Sequence, residues 1–258
     1  MSRGIHKLYD KRQKKPVVYR VNEYNEDVTM KEKVTMHLGK CKLRFDAPNF
    51  TSIFLSKSKF ELEKAKEIYN ILIRPKISTR DLYELAEKDN VILFDYLEHI
   101  QSAIIMAYTA IECLVNDLLP DNFVYNEKGT TPKQYNRKEI ERWISTIDKV
   151  ALVLPQALGT INPKGYNFWP KFTKLKDLRN DIIHFRSLMP IEQKEAERII
   201  SLLLRDSVFG KITSAYDLVK KIQSDLPPHS KMPILNNTEG IIPIEINTWD
   251  SLGFKQID

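Results

Sequence analysis

Apolar residues recur at intervals of three and four between residues 57 and 226, and this spacing predicts amphipathic helices. The strongest periodicity runs from about 91 to 119, stops before Pro120, and places its apolar positions in one stripe. Those positions are Leu97, Ile100, Ile104, Ala107, Ile111, Leu114, Val115 and Leu118. Further helices are predicted at about 57–74, 78–86, 136–154, 168–189, 191–205 and 214–226. Several helices joined by shorter loops predict a mainly α fold built as a helical bundle.

The chain ends follow a different pattern. From about 16 to 47, short runs of β-branched and aromatic residues partly alternate with charged residues, which predicts a small sheet or hairpin. Residues 241–247 alternate Ile with polar residues and fit a strand that closes on this N-terminal element. We therefore divide the chain into a basic arm with a strand-rich element (1–56), a helical bundle (57–226) and a Pro/Asn-rich extension (227–258).

Composition narrows the class of protein. A hydrophobic fraction of 42% in 258 residues is enough for a sizeable core. No run of eighteen apolar residues is present, and the basic start is not followed by an apolar segment, so we expect a cytoplasmic protein without membrane contact. Cys41 and Cys113 lie far apart, without a CxxC motif or a cluster of His, which argues against both a disulfide framework and a structural zinc site. We expect no cofactor.

The positive charge is concentrated at the start of the chain. Residues 1–20 contain seven Lys or Arg and one Asp, which accounts for the whole net charge of +6. Such a segment is either a solubilising tail or an arm that binds nucleic acid, and the sequence leaves both open.

The most informative stretch is 174–185, on the helix predicted at 168–189. Its apolar positions share the core side; they are Leu175, Leu178, Ile182, Phe185 and Met189. His184, Asn180 and Asp177 share a polar stripe, where an imidazole can meet a substrate or a second subunit. Arg179 lies at the border, where its stem can pack on apolar surface while the guanidinium reaches outward.

The long helix has a similar polar border. Glu112 and Asn116 are four residues apart at the edge of its apolar stripe. If this helix packs beside the helix of Arg179, Glu112 can hold Arg179 in a bidentate pair. Trp143, Trp169 and Tyr166 offer rings for base stacking, although the helical spacing of Trp143 favours packing in the core.

These two helices together resemble the HEPN superfamily (higher eukaryotes and prokaryotes nucleotide-binding). The resemblance rests on 110–116 (AIECLVN) in the long helix and on 178–185 (LRNDIIHF), where Arg, a polar residue and a later His follow the family pattern. It covers about 91–205, and the two terminal segments lie outside it. One departure is Arg186, which stands where some toxin members have Tyr.

The resemblance implies a metal-independent endoribonuclease that works as a homodimer, with Arg179, Asn180 and His184 as catalytic residues. His184 would transfer protons, Arg179 would stabilise the charge on the phosphate, and Asn180 would orient either group. Arg186 and Lys176 would bind RNA, with Glu112, Asn116 and Asp177 in support. It also implies a role in defence or as a toxin, together with an antitoxin or regulatory protein.

Two other functions remain open from the sequence. The first is a non-catalytic HEPN-like module for dimerisation, nucleotide binding or partner binding, because a shared fold does not fix activity. The second is a helical RNA-binding protein that uses the basic arm, whose affinity would then depend steeply on salt.

Overall fold

The computed structural model describes residues 9–77, 82–127, 133–184, 191–227, 230, 232–235 and 241–248, with the side chains of 191–193 left out. The strands are β1 (Val17–Val21), β2 (Glu26–Met30), β3 (Lys33–Leu38), β4 (Cys41–Asp46), β5 (Tyr125–Glu127), β6 (Lys133–Tyr135) and β7 (Ile244–Ile246). The α-helices are α1 (Phe50–Ile68), α2 (Arg74–Ile77), α3 (Glu87–Leu118), α4 (Arg137–Trp143), α5 (Thr146–Asp148), α6 (Leu154–Leu158), α7 (Trp169–Ile183), α8 (Ile191–Leu203) and α9 (Ser207–Asp225). Two π-helical segments lie at Tyr69–Ile73 and Lys149–Val153, and a 3₁₀ turn lies at Pro163–Gly165. The chain is mainly α, as predicted.

Contacts divide the chain into two units. One contains the described residues of 1–53 and 226–258, and the other contains those of 54–225. The two ends of the chain, which the sequence analysis treats as separate segments, therefore belong to one unit.

The first unit is built around β1. This strand pairs antiparallel with β2 and parallel with β7, where Tyr19 faces Ile244 and Val21 faces Ile246. The strand predicted near the C-terminus is thus confirmed. Tyr9, Val18, Ile234 and Ile241 form a small buried cluster, so both ends of the chain contribute to its core. β3 and β4 form a separate hairpin in the same unit.

The second unit is organised around α3, which packs against α7, α8 and α9. The predicted stripe faces the core: Ile100, Ile104, Ala107 and Ile111 are each 0% exposed. Their regular spacing buries one side of α3 along much of its length and leaves its border positions free to carry polar side chains. Among the described residues, no helix is long and apolar enough to span a membrane.

The helix predicted at 57–74 is longer than the apolar pattern indicates. It starts at Phe50, because the Asn49 side chain accepts a hydrogen bond from the backbone N–H of Ser52 (2.8 Å) and caps the first turn. The sequence predicts that this helix stops or kinks at Pro75, and it does not stop there. The π segment precedes this proline, and the Arg74 N–H donates to the Tyr69 carbonyl, so the chain continues into α2.

Two other predicted helices differ from the structure. Residues 82–86 are not helical, and residues 78–81 of that predicted helix lie outside the described part of the chain. The helix predicted at 214–226 begins earlier, because α9 already starts at Ser207 and reaches Asp225. Helix α8 begins at Ile191, as predicted, and ends two residues before the predicted end.

The helix predicted at 136–154 is interrupted. Its capping box is present, with the Asn136 side chain accepting from the Glu139 N–H and the Glu139 side chain accepting in return. Helix α4 then ends at Trp143, because Ile144 adopts an extended backbone (φ −89°, ψ 131°). Trp143 is 64% exposed while Ile140 is fully buried, so the interpretation of Trp143 as a core residue is wrong.

Candidate functional site

Helix α7 presents the candidate motif. Phe172 and Leu175 are 0% exposed and Leu178 is 3% exposed, which fixes one face of the helix against the core. Ile182, predicted on the same face, is only half-buried, because α7 is near its end there. Phe185 and Met189 of the predicted face lie outside the described residues.

His184 lies at the C-terminal end of α7 rather than within a helix that continues to 189. Its backbone (φ −100°, ψ 24°) leaves the helical region, while its N–H still donates to the Asn180 carbonyl at 2.9 Å. The imidazole is exposed, and no hydrogen bond or ion pair of it is found within the described part of the chain. The position predicted on a helix face is therefore a helix terminus, where the ring has more freedom to approach another molecule.

Arg179 has three neighbours that fix the plane of its guanidinium group. Nη1 donates to Oδ1 of Asn180 at 3.1 Å, and the guanidinium carbon lies 5.5 Å from the centre of the Tyr108 ring. Nη2 lies 3.7 Å from Oε2 of Glu112. The Arg179 side chain is 23% exposed, so one part of it meets solvent while its stem is covered.

The predicted pair between Glu112 and Arg179 is present, but not in bidentate form. The 3.7 Å separation is an ion-pair contact, longer than a normal hydrogen bond. The other carboxylate oxygen of Glu112 is the acceptor for the Thr146 hydroxyl at 3.5 Å. Nε of Arg179 is buried and finds no hydrogen-bond partner among the described residues. Glu112 is thus shared between α7 and α5, which prevents both of its oxygens from facing the guanidinium.

Tyr108 belongs to this site, although the apolar pattern of α3 does not mark it as a site residue. It is 4% exposed and stacks on Phe172 with ring centres 5.9 Å apart. Burial raises the pKa of its hydroxyl, while a hydrogen bond with Thr146 acts in the opposite direction. The available signal was its spacing: Tyr108 precedes Glu112 by four residues, so both project from the same side of α3.

Asn116 makes different contacts from those of Glu112. Its Oδ1 accepts a hydrogen bond from Nζ of Lys149 at 2.9 Å, and its backbone carbonyl accepts from Arg137 at 3.3 Å. Lys149 also donates to the Glu141 carbonyl at 3.0 Å and is only 4% exposed. Burial lowers the pKa of the Lys149 ammonium. Asn116 therefore holds the 141–149 segment against α3, and no hydrogen bond between it and Arg179 is found in the described part of the chain.

The remaining predicted residues lie at the surface or outside the description. Asp177 has a side chain that is 64% exposed, and its carboxylate lies 3.3 Å from Nζ of Lys176. This contact partly neutralises the charge that Lys176 would offer to RNA. Arg186 falls within 185–190 and lies outside the described residues.

No group of three or more His, Cys, Asp or Glu side chains that could hold a metal ion is found in the described ranges. Comparison with protein-family models, with curated proteins and with solved structures gives no match.

Proposed function

We propose that the protein is a metal-independent endoribonuclease of HEPN type that acts as a homodimer. The observation that carries the proposal is the arrangement at the end of α7. Arg179 is oriented by Tyr108, Asn180 and Glu112, and an exposed His184 follows Asn180 by one helical turn. An oriented cation and an exposed imidazole near the end of one helix are groups that can support phosphodiester cleavage without a metal.

The reaction uses the 2′-hydroxyl of RNA as the nucleophile. One His184 removes the proton from this hydroxyl, and its oxygen attacks the adjacent phosphorus. The bond from phosphorus to the 5′-oxygen breaks, and a second His184 donates a proton to that leaving oxygen. The products are a 2′,3′-cyclic phosphate and a 5′-hydroxyl. An imidazole suits both roles because its ordinary pKa is about 6.5, close to neutral pH.

Arg179 stabilises the negative charge that develops on the phosphate during attack. A guanidinium remains charged at all relevant pH values and offers planar donors that match phosphate oxygens. Tyr108 and Asn180 limit its rotation, so less conformational entropy is lost when the phosphate binds. Asn180 also links the two groups, because its side chain contacts Arg179 and its backbone carbonyl accepts from His184.

A dimer follows from the chemistry, since each chain has one His184 and the reaction needs an acid and a base. Twofold symmetry is the most common assembly of identical chains and would bring two such helix ends together. A ribonuclease of this kind has to be restrained in its own cell, so an antitoxin or regulatory protein and a role in defence belong to the same proposal.

The test is incubation of the purified protein with total RNA in the presence of a chelator. We expect cleavage by the wild type and its loss in His184→Ala and Arg179→Ala. His37→Ala and Arg142→Ala, which change exposed residues outside the site, should leave the cleavage intact. Analysis of the product ends should find cyclic phosphate.

Intact RNA, with the wild type and both site variants still dimeric, would contradict the enzyme and favour the non-catalytic HEPN-like module. A monomer that cleaves RNA would contradict the two-chain mechanism. Cleavage that persists in His184→Ala and Arg179→Ala would indicate a contaminating nuclease, and its loss in His37→Ala or Arg142→Ala would indicate a general loss of folding.

A further inference from the structure

A cavity of about 540 Å³ lies in the helical unit, between the end of α1 and the junction of α8 and α9. It is lined by Lys66 and Arg74 on one side and by Arg205 on the other, with Tyr69 and Phe209 forming an aromatic wall. None of its lining residues belongs to the site around Arg179 and His184. Its volume falls within the range of about 300–1,000 Å³ that is typical of small-molecule sites.

The π segment at Tyr69–Ile73 shapes one side of this cavity. In a regular α-helix, the residues four and seven positions after Lys66, which are Asn70 and Ile73, would lie on the same face as Lys66. The π turn contains one extra residue, so Arg74 instead of Ile73 lies on this face. Ile73 is 7% exposed and faces the core. Pro75 has no N–H to donate to the Ile71 carbonyl, so an interruption of the α-helix is expected at this point. Such π turns are frequent at functional sites.

The charge of the cavity favours an anion. Three cations and one carboxylate, Asp206, line it, and within the described ranges no ion pair of Lys66, Arg74 or Arg205 with a carboxylate is found. The Arg205 guanidinium donates to the Ser201 hydroxyl at 3.4 Å, and Lys66 lies over the Phe209 ring, 5.6 Å from its centre.

A second group of cations extends from Arg205 along α7 and α9. Burial lowers the pKa of the Lys211 ammonium, and the positive charges of Lys174 and Arg205 lower it further. These residues therefore repel one another in the absence of a ligand. An anion bound beside Arg205 would reduce this repulsion.

The aromatic wall is rigid. Tyr69 is 6% exposed, and its ring meets Phe209 edge to face, with centres 5.0 Å apart and planes at 88°. Burial raises the pKa of the Tyr69 hydroxyl, in keeping with a ring that is packed against its neighbours. Phe209 is half-buried, and Ile77 at the rim is 57% exposed, so apolar surface is available beside the cations.

We propose that this cavity binds a nucleoside phosphate, with the phosphate held by Arg74 and Arg205 and the base packed against Phe209 and Ile77. Inorganic phosphate would leave the aromatic wall and most of the volume unused. The ligand is either a free nucleotide or one nucleotide of a single strand, since the two share the same base and phosphate. The proposal does not depend on ribonuclease activity.

The test is calorimetric titration of the full chain with each of the four nucleoside 5′-monophosphates, the matching nucleosides and inorganic phosphate. We expect at least one monophosphate to bind about tenfold or more tightly than its nucleoside and than phosphate, because charged hydrogen bonds and ring contact act together. Arg205→Gln and Phe209→Leu should each weaken that binding by about tenfold. Arg142→Gln, which changes an exposed arginine elsewhere, should not.

Equal affinity for inorganic phosphate, no binding of any monophosphate, or unchanged affinity in Arg205→Gln would overturn the proposal. Thermal unfolding midpoints show whether Arg205→Gln still folds. If it does not, Arg74→Gln replaces it as the test of the charge. A short 2′-deoxy-oligonucleotide, which cannot be cleaved through a 2′-hydroxyl, distinguishes a free nucleotide from a nucleotide within a single strand as the ligand. If it binds more tightly than the monophosphate and displaces it, the ligand is a strand; if it does not, the ligand is a free nucleotide. His184→Ala should bind like the wild type, which keeps this result separate from that of the cleavage assay.

Discussion

Arg179 of α7 and Glu112 of α3 form an ion pair in which Nη2 lies 3.7 Å from Oε2, with side chains that are 23% and 34% exposed. Partial exposure weakens such a pair, because water screens both charges. The ring of Tyr108 and the amide of Asn180 contribute the remaining contacts of the guanidinium. The direction of Arg179 is therefore set by several modest interactions rather than by one strong salt bridge.

A double-mutant cycle measures this pair. We expect Glu112→Gln and Arg179→Gln, made singly and together, to give a coupling energy of about 0.2–1 kcal/mol in urea unfolding, the range for partly exposed pairs. The coupling should decrease at high salt. Additive effects, with no coupling at low salt, would show that the two charges do not interact.

The buried carboxylate of Glu61 gives a prediction for acid stability. Burial acts to raise its pKa, but hydrogen bonds from Lys57 and His99 outweigh burial, and the folded-state pKa is below 4.5. The distance from Oε2 to Nδ1 of His99 is 2.5 Å. The stabilisation is therefore present above pH 4.5, the ordinary value, and is lost as the pH falls through the lower folded-state pKa.

Glu61→Gln should reduce the free energy of unfolding by about 1–3 kcal/mol at neutral pH, since Lys57 and His99 lose a charged acceptor. The difference from the wild type should narrow as the pH falls below 4.5 in urea titrations. Glu63→Gln is the matched control, because that carboxylate is 59% exposed and lies 3.9 Å from Lys59. A constant difference across the acid range would refute the linkage.

The sequence predicts well those features that depend on local spacing. The stripe of α3 and the capping box of Asn136 are examples, because each arises from neighbours within one or two turns. The two π segments were not predictable in this way. Pro75 and Pro155, two residues after Tyr69–Ile73 and Lys149–Val153, indicate that the α-helix is interrupted, but the extra residue of each π turn becomes evident only when the surrounding packing is known.

In the candidate site, too, the features that depend on local spacing are predictable and those that depend on tertiary packing are not. The polar border of α7 follows from spacing, so Arg179 and Asn180 are identifiable from the sequence. The contact with Tyr108 depends on how α3 and α7 are rotated relative to each other, which no single helix specifies. The sequence also does not predict that α7 ends before His184, because apolar residues continue at helical spacing into 185–189.

Gly159 and Gly165, at the two ends of one loop, allow the effect of backbone strain on stability to be measured apart from the effect of packing. Gly159 ends α6 with φ 68°, a left-handed conformation, whereas Gly165 has no positive φ, and a Cβ on either residue would meet nothing within 4 Å. We expect Gly159→Ala to lower the stability by about 1–2 kcal/mol, the cost of a left-handed alanine. Gly165→Ala should be neutral or stabilising by about 0.4–1 kcal/mol. Thermal unfolding of both variants is the measurement, and equal effects would contradict the assigned backbone of Gly159.

The buried ammonium of Lys149 gives a second prediction for the pH dependence of stability, this time for a basic group. Its Nζ is hydrogen-bonded to Asn116 and to the Glu141 carbonyl, and burial lowers its pKa below the ordinary value of 10.5. Between the folded-state pKa and 10.5, the unfolded chain binds more protons than the folded chain. Stability due to this group therefore rises with pH within that window, because folding no longer requires burial of a charge.

Lys149→Met keeps the length of the side chain and removes both the charge and the donor. We expect a loss of about 1–3 kcal/mol at neutral pH, because Asn116 Oδ1 and the Glu141 carbonyl lose their partner. The wild type should then gain stability relative to the variant as the pH rises toward 10.5 in urea unfolding. Lys138→Met, at an exposed position on α4, should differ little from the wild type at any pH. If the curves of Lys149→Met and the wild type stay parallel, burial does not lower the pKa of this ammonium.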